Sequence, residues 1–410
     1  MKKIYLNLRC LFYIFLIVPF IRLEGFVNNE TIDALYSGMK LCSVIILFVW
    51  GVYKFKFDKF IFLYGTYILL YILSANMNNT MSLSLYVAIL PGLVLILLLK
   101  IVIRHNDQII FLKYLSNFFM LLVISNLLFL IIYPDGIWQE VTRQVNLYYE
   151  LTPVHLLGKS NAVTPLLLIM SSFILIKDKL VNNKITAYGI IGLFIVLLSV
   201  ILTKSSTGIL GSLVYLFVIL IFSLKLQSKL NKAINFRLYF IIGLIITLAV
   251  VFFQFQNNFS YIFELLFDKD ITFSNRTNVW NLTFQYIREN FVLKNYLLGS
   301  GLSGYSAIIY AGRYAHAHNH LLHIFVQSGV FGVCIYIYLI YSALKSISNG
   351  QKQEPNVIYI ILAANIFATV LMFITETYTT PMIVLLLYFS YRIDCFTNYK
   401  GVSSKKKGDV

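Results

Sequence analysis

Twelve stretches of mostly apolar residues, separated by short polar breaks, constrain this chain more than any single motif does. They run over residues 8–23, 37–53, 60–74, 84–103, 116–133, 162–176, 185–203, 207–224, 237–256, 320–343, 357–374 and 380–396. A helix that crosses a bilayer needs roughly 20 apolar residues, with about 17 at the lower end. Several stretches are shorter than that, which leaves room for merged or re-entrant pieces. Charged residues are only 12% of the 410, where a soluble chain carries about 25%. The pattern predicts an all-α polytopic integral membrane protein of about twelve transmembrane helices, a single membrane domain over residues 1–410. The first stretch follows Met1-Lys2-Lys3 and has the form of a signal peptide. No small-residue cleavage site follows it and more apolar runs do, so it reads as the first helix. Cys10, Cys42, Cys334 and Cys395 lie in or beside apolar runs without metal-ligand spacing, which predicts neither a disulfide framework nor a zinc site.

Orientation follows from lysine and arginine, which favour the cytoplasmic side. With the N-terminus inside, the inner segments hold 23 of the 33 Lys and Arg residues but only 6 of the 17 Asp and Glu residues. The inner face is then strongly positive and the outer face close to neutral. The net charge of +16 is thus an orientation signal toward an anionic inner leaflet rather than a nucleic-acid footprint. Both termini are expected in the cytoplasm, the C-terminal one as a basic tail over 397–410 that includes Lys405, Lys406 and Lys407. Two long connections, 134–161 and 257–319, fall outside. Long loops usually carry function. An enzyme on the outer face has no nucleotide sugar or ATP to draw on, so its activated groups must arrive on lipid.

Loop 257–319 contains Asn275-Arg276-Thr277-Asn278-Val279-Trp280, then Gly299-Ser300-Gly301-Leu302-Ser303-Gly304-Tyr305, then His316-Ala317-His318-Asn319-His320 at the entry to the tenth apolar run, which bears Gly329-Val330-Phe331-Gly332. Lys204-Ser205-Ser206-Thr207-Gly208 stands between the seventh and eighth runs. In this order the segments resemble the O-antigen polymerase and O-antigen ligase family, over residues from about 140 to 345. Two positions depart from the family pattern. Gln327 stands where a Glu is frequent, and Lys204 where an Arg is frequent. Lys204 still supplies a cation, but as a point charge rather than a fork.

The resemblance implies a glycosyltransferase of the GT-C type in a bacterial cytoplasmic membrane, with an extracytoplasmic active site, no cofactor and no metal. It would move glycan from an undecaprenyl diphosphate carrier to an acceptor hydroxyl, among membrane lipids and beside other assembly proteins such as a chain-length regulator or a flippase. As the glycosidic bond breaks, negative charge builds on the departing diphosphate, and fixed cations stabilise it. Arg276 is the first candidate, with Arg143 and Lys204 as helpers and Arg288 and Arg313 as further outer cations. His318, at the family's His-Asn position, is the candidate base for the acceptor hydroxyl. Asn319, His320, Trp280 and Arg313 are candidate supports. Two sizeable outer loops favour a polymerase extending lipid-linked repeat units. A ligase acting on lipid A core and a lipid-linked oligosaccharide flippase are the alternatives. A flippase should carry ionisable groups along a path through the membrane; here they sit mostly at span ends and in loops.

Plainer readings stand beside these. Arg276 can pair with Asp268, Asp270 or Glu289, and His318 can pack at a helix start. His316, His320 and His323 share a helix face only if the helix begins early, and then suggest a metal. Asp268-Lys269-Asp270 reads as a solvated loop. Lys204 can snorkel to water. Arg143 is followed by His155 and by Gly158-Lys159-Ser160-Asn161, which loosely resembles a family segment. Trp138, Tyr148, Tyr149, Trp280 and Tyr305 can stack on sugars or simply mark the membrane interface. Glu376, in a short outer loop, is a carboxylate able to orient a cation.

Overall fold

A computed structural model of the chain describes residues 7–52, 57–79, 83–145, 148–226, 235–253, 276–301, 317–378 and 380–397. In chain order these form α1 (Leu8–Ile17), α2 (Glu30–Val52), α3 (Lys59–Met77), α4 (Leu83–Arg104) and α5 (Gln108–Ile132). Strands β1 (Trp138–Val145), β2 (Tyr148–His155) and β3 (Gly158–Lys159) follow. Then come α6 (Ser160–Asn182), α7 (Ala187–Leu202), α8 (Ser206–Leu226), α9 (Phe236–Phe253), α10 (Arg276–Asn290) and α11 (Leu293–Leu298). The remainder is α12 (His320–Gln353), α13 (Val357–Met372), α14 (Met382–Tyr391) and the short α15 (Asp394–Thr397). Each of the twelve apolar runs coincides with a helix among the described residues. Five helices there are long and apolar enough to cross a membrane, within α2, α3, α5, α8 and α12; five others are apolar but shorter.

The boundaries have local causes. Asp58, Asn319 and Asn356 cap α3, α12 and α13 by accepting from the backbone N–H of Ile61, Leu322 and Ile358. The run expected over 8–23 ends its α-helix at Ile17, because Pro19 imposes a 3-10 turn over Val18–Phe20.

Burial separates core from rim. The middle of α6, from Leu166 to Ile176, and most of α13 are buried. By contrast, α2 exposes Leu41, Ile45, Phe48 and Val49, α7 exposes Ile190, Ile191 and Phe194, and α8 exposes Leu213, Phe217 and Leu220. Large apolar side chains turned outward at helical spacing would be a liability in water and suit a lipid surround.

Two features depart from the sequence expectation. The first corrects the all-α reading: connection 134–161 carries a three-stranded antiparallel sheet in the order β1-β2-β3. Its register runs from Trp138 opposite Val154 to Val145 opposite Tyr148, with a bulge between Val141 and Arg143. Val, Thr and aromatic residues in this stretch favour a pleated ribbon over a coil. The second is that α12 is broken at Gly329, which has φ 64° and ψ −166°. The freed carbonyls of Val326 and Gln327 accept from the N–H groups of Ser300 and Gly301, at 2.7 and 3.0 Å. The segment after α11 thus repairs the helix ladder from outside. A Cβ on Gly329 would lie 2.3 Å from the Leu297 backbone, so this approach requires glycine there. The Gly-x-Gly and Gly-x-x-Gly motifs of the sequence are the two halves of one contact.

Candidate functional site

One end of the bundle gathers the turn between α7 and α8, the start of α6, the start of α10, the residues before α12 and the connection from α13 to α14. Their side chains converge on Glu376, which is 6% exposed.

The turn is built first. Ser205 caps α8, its Oγ accepting from the N–H of Gly208 at 3.1 Å. Gly208 is pressed against α6, and a Cβ there would lie 2.3 Å from Thr164 Oγ1. Ser205 donates its O–H to Asn161 Oδ1 at 2.5 Å, and Asn161 Nδ2 donates to Glu376 Oε1 at 2.8 Å. Thr207, on the first turn of α8, accepts from Arg276 Nη1 at 3.3 Å and lies 3.1 Å from the hydroxyl of Thr375. Lys204 takes a left-handed conformation, φ 55°, and is exposed at the edge of this turn.

Arg276 opens α10 and pairs through Nη2 with Glu376 Oε1. Its partner among the described residues is therefore a carboxylate 100 positions away rather than Glu289; Asp268 and Asp270 of the plainer reading lie outside the described residues. The other carboxylate oxygen, Oε2, faces His318 Nδ1 at 3.4 Å. His318 is itself left-handed, φ 47°. Two neighbours hold that conformation. Trp280 donates its indole N–H to the His318 carbonyl at 3.4 Å, and Asn319 both caps α12 and donates to the Ile374 carbonyl at 3.0 Å. A non-glycine residue held at positive φ costs free energy and is found where function or tight context demands it.

Glu376 thus joins a guanidinium, an imidazole and an amide inside a nearly closed site. A buried carboxylate is costly unless it is paired and hydrogen-bonded, and this one is both. The approach of Glu376 Oε2 to His318 Nδ1 at 3.4 Å is an ion-pair distance and not a formed hydrogen bond; a carboxylate on that side still favours the tautomer with its proton on Nδ1, which leaves Nε2 as the basic nitrogen. Among the described residues, Arg276 directs one N–H to Thr207 and one to Glu376, and a guanidinium carries five such donors in all, the equipment to grip an anion as well.

The remaining candidates fall as follows. His320 is buried; its N–H donates to the Phe373 carbonyl at 3.0 Å, its Nδ1 accepts from the Tyr378 N–H at 3.4 Å, and its ring lies 4.2 Å from that of Phe373. It braces α12 against the connection from α13. Trp280 is 0% exposed, so it supports His318 from beneath and offers no open face to a sugar. α12 begins at His320. His320 and His323 lie on its first turn, and His316 lies outside the described residues. Arg143 stands in β1 opposite Glu150. Arg288 is exposed near the far end of α10. His155, the last residue of β2, is buried, and burial pushes the pKa of its imidazole below the ordinary value. Arg313, the stretch Asp268-Lys269-Asp270, Tyr305 and the tail beyond 397 lie outside the described residues.

With this geometry in place, residues 191–337 match the family model described as O-antigen ligase. Over that segment the chain is similar to the O-antigen ligase family. The matched segment contains Lys204, Ser205, Thr207, Arg276, Trp280, His318, Asn319 and His320. Asn161 and Glu376 lie on either side of it and complete the cluster. No curated protein and no solved structure matches the chain. Glu376 carries no motif: its sequence signal is a lone carboxylate between two apolar runs. Asn161 and Ser205 were legible only as members of family-like segments.

Proposed function

We propose that the chain is a bacterial polysaccharide polymerase, which transfers glycan from an undecaprenyl diphosphate carrier to a second lipid-linked repeat unit. The observation that carries this reading is the single carboxylate, Glu376, shared by Arg276 and His318. Held by Glu376 at Nδ1, His318 takes the proton of the acceptor hydroxyl at Nε2. The acceptor oxygen attacks the anomeric carbon, the carbon–oxygen bond to the diphosphate breaks, and the diphosphate leaves with the bonding pair. Arg276 stabilises that charge through its remaining N–H groups, with Lys204 and Arg143 as outer cations. No metal is needed in this scheme.

An apolar groove of about 380 Å³ supports a lipid carrier. It lies between α9, α10, α11 and α12, lined by Leu244, Leu248, Phe284, Ile287 and Phe325, and it reaches Asn319, the neighbour of His318. An isoprenoid chain in that groove would bring its diphosphate toward Arg276. In this reading the twelve helical runs all cross the membrane in a GT-C architecture. Both termini are cytoplasmic, and the Glu376 end is extracytoplasmic. The two elaborated connections at that end, the sheet and the α10–α11 segment, favour the polymerase over a ligase acting on lipid A core.

The test is incubation of purified protein with a chemically defined undecaprenyl-diphosphate repeat unit, with and without EDTA, resolving products by size. The expected result is a ladder of longer chains unaffected by EDTA. Intact substrate without a ladder, with transfer restored by added lipid A core, would replace the polymerase by a ligase. Movement of the lipid-linked glycan across vesicles with no transfer at all would replace the enzyme by a transporter.

A further inference from the structure

The chain of hydrogen bonds that reaches Glu376 from α8 has a fixed direction. A backbone N–H can only donate, so Gly208 donates to Ser205 Oγ at 3.1 Å. The Ser205 hydroxyl then has its own proton to give, and Asn161 Oδ1 lies 2.5 Å away. That contact orients the Asn161 amide, with Nδ2 toward Glu376 Oε1 at 2.8 Å. The reverse orientation would set two acceptor oxygens against each other. Glu376 Oε1 therefore receives one N–H from Arg276 and one from Asn161, and this pins the carboxylate plane so that Oε2 points to His318 Nδ1.

We propose that Asn161 and Ser205 are positioning residues for glycan transfer, whose relay from the α8 N-terminus holds Glu376 so that one oxygen serves Arg276 and the other serves His318. The inference rests on the reading of His318 as the base. Neither residue touches substrate. Their effect is on the geometry and charge of a carboxylate that does its work through two others. Gly208 belongs to the relay by its size, since any side chain there would strike Thr164 and displace the cap.

The decisive variant is Asn161→Asp, which keeps size and shape. While its carboxyl is protonated it can still accept from Ser205 and donate to Glu376. Once ionised it opposes Glu376 directly. Among the described residues, the titratable groups that face Glu376 include Arg276, His318 and Tyr378. Relative to wild type at each pH, the variant's kcat/KM should therefore fall by about tenfold or more as pH rises from about 6 to about 9, with little change in KM for donor. Asn161→Ala should lose a similar factor at every pH, and Ser205→Ala a smaller one. A second readout does not depend on activity: nitrogen-15 NMR of histidine-labelled protein, with His318 assigned through His318→Gln. Wild type should show Nδ1 protonated and Nε2 bare, and Asn161→Ala should lose that preference. A flat activity ratio for Asn161→Asp together with an unchanged His318 tautomer in Asn161→Ala would overturn the relay. Absence of any transfer by wild type would instead count against the proposed function, and the tautomer measurement would still decide the relay.

Discussion

Glu376 is sealed among groups that each need it. Arg276 has a side chain 13% exposed and would lose its carboxylate partner, while His318 would lose the negative charge that lies 3.4 Å from its Nδ1. Replacing Glu376 by Gln keeps the shape and removes the charge. Transfer should fall by roughly 10²- to 10⁴-fold, the range for a disabled base or its orienting partner. Arg276→Lys keeps a charge but not the fork, so it should fall by at least about tenfold. Both are read as product per minute per folded protein, with folding checked by elution profile and melting in detergent. Wild-type rates in Glu376→Gln would remove the carboxylate from the reaction centre.

Among elements, the broken α12 and the α11 segment depend on each other. Gly329 lets the helix open, and Ser300 and Gly301 satisfy the carbonyls that the break releases. Gly329→Ala puts a methyl into the Leu297 backbone and forces a left-handed conformation on a residue with a Cβ. It should cost about 1–3 kcal/mol, seen as a lower melting temperature in detergent. Val330→Ala, on an exposed position one residue later, should melt close to wild type. Equal melting for the two would mean that the contact does not hold the break. This element scale is also where sequence reading was weakest. The two glycine motifs are visible as motifs, but their spatial pairing depends on a backbone break that no periodicity reveals. The sheet over 138–159 does not show in the spacing of the apolar runs around it; its only local signal is its own Val, Thr and Tyr content. The helical run pattern, by contrast, was legible throughout, because a chain with so few charges has few places to interrupt a helix.

For the whole molecule, the ion pairs among the described residues lie toward two ends, while Ser172, Tyr215 and Asn365 share hydrogen bonds within the bundle. Asn161, Ser205, Arg276, His318 and Glu376 meet at one. Arg9 with Asp107, and Asp58 with Tyr388 and Arg392, meet at the other. The orientation proposed for the chain puts the first end outside. In protein whose native cysteines are replaced by serine, Asn28→Cys and Glu289→Cys should react with an impermeant maleimide on intact cells. His105→Cys and Lys184→Cys should react only after permeabilisation. The opposite pattern would place the candidate site in the cytoplasm, where a lipid-linked donor is no longer required. The candidate residues were legible by type, since Arg276, His318 and Lys204 all lie in the segments that carry the resemblance. The carboxylate that joins two of them was named only as a group able to orient a cation, because 58 positions separate it from His318 and nothing local marks the pairing.

The central claim is that Arg276, Glu376 and His318 act together on one transferred glycan. It is tested most directly by single-turnover transfer from a defined lipid diphosphate donor, comparing wild type with Glu376→Gln, His318→Ala and the double variant. The account predicts that each single variant loses most of the rate and that the double variant is little worse than either, as expected when groups work as a unit. Losses that multiply independently, or a single variant that turns over at the wild-type rate, would contradict it.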